Sequence, residues 1–313
     1  MIKLSIIIVN WNSGDFLRHC VASLNNSSSS KKECELIIVD NNSNDNSISN
    51  ITCKFPTEVI CLEANSGFAK GCNMGANISK GKYLLFLNPD TKIRDYTLAR
   101  SIELMDKNET ISVHGVKHYN DIGQIMPSCS EFPTVLHFFN GICGLNKVNP
   151  LVFRSAPVLE PSVMDYSKSA IVDEVTGAYY FCKKTDVEEE GFFDERFFVY
   201  YEELDLSLRL TQNGKKIYYD SNNDIIHVGG GTTKRIHAIR LFYNLRSRLQ
   251  YTIKHYNNRQ IILIFLLTLV VEPFSRASWE IIKKDLRGVI NVIMGYYKLY
   301  AYLGRIIFKR DWL

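Results

Sequence analysis

Asp90 ends the stretch Leu84-Leu85-Phe86-Leu87-Asn88-Pro89-Asp90, four apolar residues followed by a stop. Pro89 has no N–H for a strand ladder, so a strand has to end there. A carboxylate left at such an end is a natural ligand for a hard divalent cation, and that cation would hold phosphates. Taken alone, Asn88-Pro89-Asp90 is more simply a turn, because all three residue types favour turns. Glu202, Glu203 and Asp205 form a second group, delivered to the start of a helix by the aromatic run 192–201. The helix dipole favours acids in a first turn whatever their use. Against an apolar wall, desolvation also raises a carboxylate's proton affinity and suits it to act as a general base. Arg209, four residues beyond Asp205, can pair with it on the same helix face. His227 follows an apolar strand and precedes Gly229, Gly230 and Gly231. It reads either as a core histidine or as a ligand for a transition divalent metal.

The elements that must position these groups follow from short β-branched runs alternating with helical patterns. Leu4–Val9, Glu35–Val39, Val59–Leu62 and Tyr83–Leu87 predict four strands, with Phe16, Leu17, Cys20, Val21 and Leu24 on a helix between the first two. Such alternation predicts a parallel sheet with right-handed crossovers. In an open α/β sheet, ligands sit at the carboxyl ends of the strands, where Asp40 and Asp90 both fall. Gly67, Gly71 and Gly75 recur at a spacing of four on a predicted helix. They allow close approach of either a ligand or the sheet, and match neither the Gly-x-Gly-x-x-Gly nor the P-loop fingerprint. Residues 111–169 predict a crossover and long loops, Val172–Phe181 a strand with a bend at Gly177, and Lys216–Asp220 a further strand that leads to Ile225–Thr232, where His227 follows an apolar strand.

With 313 residues, 46% of them hydrophobic and 22% charged, the chain has ample material for a folded core. Its net charge of +4 hides an imbalance. Residues 232–313 carry +11 and the remainder −7, so a basic tail follows an acidic body. The tail suits phosphates or an anionic membrane surface. Eight cysteines without a Cys-x-x-Cys pair argue against structural zinc or a redox motif and fit a reducing cytoplasm. The first apolar run is too short for a signal peptide. Ile261–Val271 is an apolar run of eleven residues, broken only by Thr268 and short of the roughly 20 a spanning helix needs. From there to Leu313, aromatic and aliphatic residues mix with Lys and Arg, as in helices lying in a membrane interface. The alternative is a helical hairpin packed on its own domain or on a second copy, a homo-oligomer.

Several stretches in order resemble one family. They are Ser5–Asn12, Val39–Ser47, Asn65–Asn73, Asn88-Pro89-Asp90, Thr176-Gly177-Ala178 and Phe192–Arg209. Together they resemble the family 2 inverting glycosyltransferases of GT-A fold, especially the rhamnosyltransferase-like branch. The resemblance implies an α/β fold with a mixed, mainly parallel sheet flanked by helices and a C-terminal helical membrane-associating extension. It implies a catalytic domain over 1–231, with a nucleotide-sugar half at 1–110 and an acceptor half at 111–231, and a basic extension at 232–313. Val9, Trp11, Asp40 and Asn41 match the nucleobase and ribose pocket, and Asn65, Gly67, Phe68 and Asn73 the donor loop and helix. Asn88-Pro89-Asp90 stands where the family has its Asp-x-Asp metal motif, with Asn88 beside the donor. The resemblance makes Asp90 a ligand for Mg²⁺ or Mn²⁺, with His227 as a second. Glu203 falls where the family usually has the aspartate base, one methylene shorter; Glu202 is the alternative base, and Asp205 a supporting group. The implied reaction transfers a sugar, L-rhamnose from dTDP-rhamnose, to a glycolipid or oligosaccharide acceptor for cell-surface polysaccharide. The implied place is cytoplasmic, peripheral on the inner membrane face through residues 257–313, with no nucleic-acid partner. The alternatives are UDP-hexose or galactofuranosyl transfer and, in another class, a catalytically silent sugar-nucleotide-binding scaffold.

Overall fold

A computed structural model describes residues 2–149, 155, 159–229 and 237–309, and two compact units emerge. The first comprises Met1–Phe132, Val158–Phe198 and Glu202–Thr232. The second comprises Pro133–Pro157, Val199–Tyr201 and Thr233–Leu313.

The first unit starts with strand β1 (Leu4–Asn10), helix α1 (Asp15–Asn25), β2 (Cys34–Asp40) and β3 (Thr57–Cys61). It continues with α2 (Phe68–Ile78), β4 (Tyr83–Leu87), β5 (Thr91–Ile93) and α3 (Thr97–Lys107). β1 is parallel to both β2 and β4, and β2 is parallel to β3, as the alternating pattern predicts. Burial on both faces explains the unbroken apolar runs. Ile6, Ile8, Leu36, Ile38, Leu85 and Leu87 pack with Leu17 and Leu24 of α1 and Leu98 and Met105 of α3. The alternate residues Ile7, Val9, Ile37, Val39, Leu84 and Phe86 pack on the opposite face with Cys72 and Ala76 of α2.

The stretch expected to be irregular contains β6 (Ile111–Tyr119), nine residues long and mostly buried. Its apolar pattern is diluted by Ser112, His114, Gly115 and His118, all buried. These polar residues hide a strand whose burial comes only from tertiary packing. Short β7 (Ile125–Met126), β8 (Cys129–Ser130), β9 (Ala170–Val172) and β10 (Glu174–Val175) follow, then β11 (Tyr179–Lys183). The single strand expected over Val172–Phe181 is therefore broken at residues 176–178, and β10 pairs with β8 in a separate two-stranded sheet. After α5 (Lys184–Glu189) and α6 (Glu202–Gln212), β12 (Lys216–His227) continues past the expected end at Asp220 as far as His227, with a register shift between Asp220 and Asp224. The main sheet has the order β3-β2-β1-β4-β11-β6-β12-β5, and β11 lies antiparallel between β4 and β6. The sheet is mixed and mainly parallel on its N-terminal side, as the sequence implied.

The second unit is helical: α4 (Val135–Ile142), α7 (His237–His255), α8 (Asn258–Leu266), α9 (Glu272–Ile282) and α10 (Leu286–Lys309). Leu245 and Leu249 of α7 pack with Val292, Tyr296 and Leu299 of α10. Between α8 and α9, Leu267–Val271 forms a π-helical turn, so the chain stays helical over Asn258–Ile282 despite Pro273. The wide turn lets the helix continue past a residue that cannot donate its N–H. The eleven-residue apolar run thus belongs to a 25-residue helix that is, by length and composition, long and apolar enough to cross a membrane.

Candidate active site

The carboxyl ends of β1, β2 and β4 and the 176–178 bend define the site. Asp90 lies just past β4, and β12 pairs antiparallel with β5 so that His227 faces Thr91. That register brings His227 Nε2 to 3.3 Å from Asp90 Oδ1, while the Asp90 carbonyl accepts from Val228 N at 3.1 Å. His118, which the sequence reading did not single out, meets the His227 ring edge-on at 5.7 Å between centroids. Gly229 has a positive φ, 71°; Gly230 and Gly231 lie outside the described residues.

Glu202 and Glu203 open α6 immediately after Tyr200 and Tyr201, both of which have positive φ, 71° and 73°. Two consecutive non-glycine residues in that region cost on the order of 1–3 kcal/mol each, and such strain gathers at functional sites. Glu203 Oε1 accepts from Gly177 N at 3.3 Å. Glu202 is buried, and Glu202 Oε2 and Glu203 Oε2 are both buried without a hydrogen-bond partner. Desolvation raises the proton affinity of both carboxyls, and the neighbouring Glu203 charge raises that of Glu202 further. Glu203 takes the amide of Gly177, so it is the member of the pair that ionises first. Asp205 is fully buried and pairs with Arg209 at 2.9 Å; Arg209 also donates to the carbonyls of Glu190 and Phe192. Its place is to lock the helix, four residues from its partner as the spacing predicted.

Gly177 joins these parts. A Cβ there would lie 3.2 Å from Glu203 Oε1 and 3.8 Å from Phe68 Cε1. The next residue, Ala178, accepts at its carbonyl from Asn88 N at 3.1 Å. One bend therefore touches the donor loop, the candidate base and the strand end carrying Asp90.

The other candidate donor residues hold loops in place. Asn10, unassigned from the sequence, donates to Asp40 at 2.7 Å and to Ser47 at 2.8 Å, and Ser43 also donates to Asp40. Asn41 donates to the Gly67 carbonyl at 2.9 Å and accepts from Ser66 N. Asn65 accepts from Gly67 N, and Phe68 N donates to the Phe198 carbonyl at 2.6 Å. Gly67 has φ 92°, and a Cβ there would fall 2.4 Å from Phe198 O, so both conformation and space require glycine. Gly71 and Gly75 instead let α2 settle on Val9 and Ile7, which is the sheet-packing alternative of the glycine repeat. Asn73 exchanges hydrogen bonds with both backbone groups of Phe193. Val9 is buried under α2, and Trp11 is half-buried where β1 ends. Glu174, also missed, is a further buried carboxyl, 3% exposed. Its signal was the acidic pair Asp173-Glu174 inside a predicted strand.

Mg²⁺ commonly uses one or two protein ligands and completes its shell with water and substrate phosphates. Asp90 and His227 make such a partial set; among the described residues no group of three or more His, Cys, Asp or Glu is arranged to hold a metal alone. The pair fits a cation shared with a diphosphate.

Residues 5–158 match the Glycosyl transferase family 2 model. An uncharacterized glycosyltransferase of Haemophilus influenzae is 33% identical over 35% of this chain and 36% of its own length. The poly(ribitol-phosphate) beta-glucosyltransferase of Bacillus spizizenii is 34% identical over 39% of this chain and 20% of its own. The chain thus spans about a third and a fifth of these two relatives. The rhamnosyltransferase WbbL of Escherichia coli is 23% identical over 79% of this chain and 91% of its own length. Among solved structures, the mannosyltransferase PcManGT of Pyrobaculum calidifontis, in complex with GDP-Man and Mn²⁺, aligns with TM-score 0.57 at 13% identity, covering 99% of this chain and 87% of that one. Staphylococcus aureus TarS 1-349 in complex with UDP-GlcNAc aligns with TM-score 0.52 at 14% identity, covering 97% and 92%. Residues 5–158, just under half of the chain, carry a family 2 glycosyl transferase domain, and the chain has the GT-A fold.

Proposed function

We propose that this protein is an inverting, metal-dependent glycosyltransferase that moves L-rhamnose from dTDP-rhamnose to a saccharide on a polyprenyl-linked acceptor. The bend at 176–178 carries the reading, because it joins Glu203, Phe68 and the strand end of Asp90. The likeness to WbbL along most of that protein's length favours rhamnose. Residues 1–231 form the catalytic domain in this reading, with 1–110 for the donor and 111–231 for the acceptor, and 232–313 the extension.

Asp90 and His227 would hold Mg²⁺ or Mn²⁺, which when bound would supply Lewis-acid stabilisation of charge on the departing nucleoside diphosphate. Val9, Trp11, Asp40 and Asn41 shape the nucleoside end of the donor site, and Asn65, Gly67, Phe68, Asn73 and Asn88 its sugar-diphosphate end. Glu203 takes the proton of the acceptor hydroxyl as its oxygen attacks the anomeric carbon opposite the diphosphate. The carbon–oxygen bond to phosphate breaks as the new glycosidic bond forms, which inverts the configuration. Glu202 orients the acceptor, and Asp205 keeps the helix start in position through Arg209.

The extension lies on the cytoplasmic face of the membrane. α10 buries Val292, Tyr296 and Leu299 yet exposes Leu286, Ile290, Ile293 and Tyr297, so it is apolar on two sides. Ile262, Leu266, Val270 and Phe274 repeat the pattern along α8 and α9, and Arg259, Lys283, Lys284 and Arg287 are exposed on the same segments. Apolar residues flanked by basic ones suit an anionic lipid surface.

Hexose transfer from a UDP-sugar is the second reading, favoured by the glucosyl name of the Bacillus relative. Turnover of a sugar-nucleotide panel with Mn²⁺ and lipid-linked acceptor decides. Transfer from dTDP-rhamnose supports the first reading, transfer from a UDP-sugar the second, and no transfer from any donor leaves a binding scaffold.

A further inference from the structure

Glu174 has no part in the machinery above, yet it is built into the same wall. It stands on β10, where Val175 is fixed by pairing with Cys129 and by contact with Gly115, on which a Cβ would come within 2.5 Å of the valine. Ser130 supplies the one side-chain hydrogen bond to its carboxyl, and Glu174 Oε2 is buried without a partner. Glu202 Oε2 and Glu203 Oε2 share that condition, so three carboxyls each keep one oxygen out of water and unbonded.

Among the described residues nothing neutralises them. Cys129 faces Glu174 from β8, Tyr180 from β11 and Asp173 from its own chain. Glu202 and Glu203 face it from α6, and Cys72 faces those two from α2. On β12, which also packs against β10, Tyr219 spends its hydroxyl on the Tyr166 carbonyl, and on β6 the His114 ring bonds Ser101. Among the described residues no lysine, arginine or histidine pairs with any of the three carboxyls. Arg209, on α6 itself and partly buried, is committed to Asp205 and two carbonyls.

A buried carboxylate without a cation is costly, and a second one beside it costs more. The cluster therefore holds fewer charges than carboxyls. Glu203 has the strongest claim on the charge, through the Gly177 amide and its place in the first turn of α6. We propose that Glu174 is a positioning residue for the transfer site, a carboxylic acid kept in its protonated form so that Glu203 is the single negative charge of the cluster. Burial and the Glu203 charge push Glu174 up to about 8, so the proton is present at neutral pH and leaves on mild alkalinity. Its loss places a second charge against Glu203 and unsettles the contact of β10 with α6.

The proposal rests on Glu203 as the base, and the test separates the two. Glu174→Gln in the full-length protein copies the protonated acid in shape and cannot ionise. The difference infrared spectrum at pH 7 should show the loss of one protonated-carboxyl band relative to the unaltered protein. The rate of transfer should keep its acidic limb, while the decline expected of the unaltered enzyme near pH 8 should disappear. An infrared spectrum with no lost carboxyl band, or an unchanged alkaline limb, overturns the proposal. The infrared readout does not depend on catalysis; full activity in Glu203→Gln would instead remove the base assignment. Should Glu174→Gln fold poorly, the unaltered protein's infrared titration answers the question alone. A protonated-carboxyl band that disappears near pH 8 supports the proposal, and none at pH 7 sinks it.

Discussion

Glu203 occupies the first turn of its helix with one oxygen on the Gly177 amide and the other buried and unbonded. Replacing it by Gln keeps the shape and removes the proton acceptor, so transfer should fall by roughly 10²–10⁴-fold. Nucleotide affinity measured by calorimetry should stay unchanged. Asp90→Asn should behave oppositely, removing the Mn²⁺ enhancement of nucleoside-diphosphate binding in the same calorimetric titration. Stability carries its own signature of the buried acids. Glu174 is raised in the folded state, so its contribution is complete below the unfolded value near 4.5 and is lost as pH rises to about 8. The melting temperature should therefore decline across that window, and less so in Glu174→Gln. The strand-end positions of Asp90 and His227 were legible because an apolar run precedes each. Glu174 was not, because a charged residue in a strand is ordinarily solvent-facing, and its burial comes from the packing of β8, α6 and β12 around β10.

The donor loop and the helix it starts depend on backbone that only particular residues permit. Gly67→Ala should lower stability by about 1–3 kcal/mol, from positive φ together with the close Phe198 carbonyl. Thermal unfolding measures it, and an unchanged melting temperature would show that the loop relaxes freely. The glycine repeat was visible in the sequence, but its meaning was divided. Gly67 serves the loop, and Gly71 and Gly75 serve packing on Val9 and Ile7. Spacing alone cannot separate these, because a missing side chain marks close approach without naming what approaches. The same limit hid β6, whose buried Ser112 and His114 look solvent-facing in one dimension, and the helix that continues through Pro273 by way of a π-turn.

Across the whole molecule, an acidic body and a basic, doubly apolar C-terminal segment predict association with anionic lipid. Ile290→Glu with Ile293→Glu changes only exposed positions, so flotation with anionic vesicles should drop severalfold while the melting temperature stays. Unchanged flotation would assign the face to protein contacts instead. The parallel half-sheet, the strand ends bearing Asp40 and Asp90, and the tail's charge were determined by sequence alone, since burial on two faces and net charge are local properties of the chain. The tertiary structure decided which distant groups meet. Antiparallel β11 lies between β4 and β6, which sets the 176–178 bend against Asn88, Phe68 and Glu203. Such long-range pairing depends on the register of strands nearly a hundred residues apart, as in Leu87 with Tyr179, and no local pattern encodes that register.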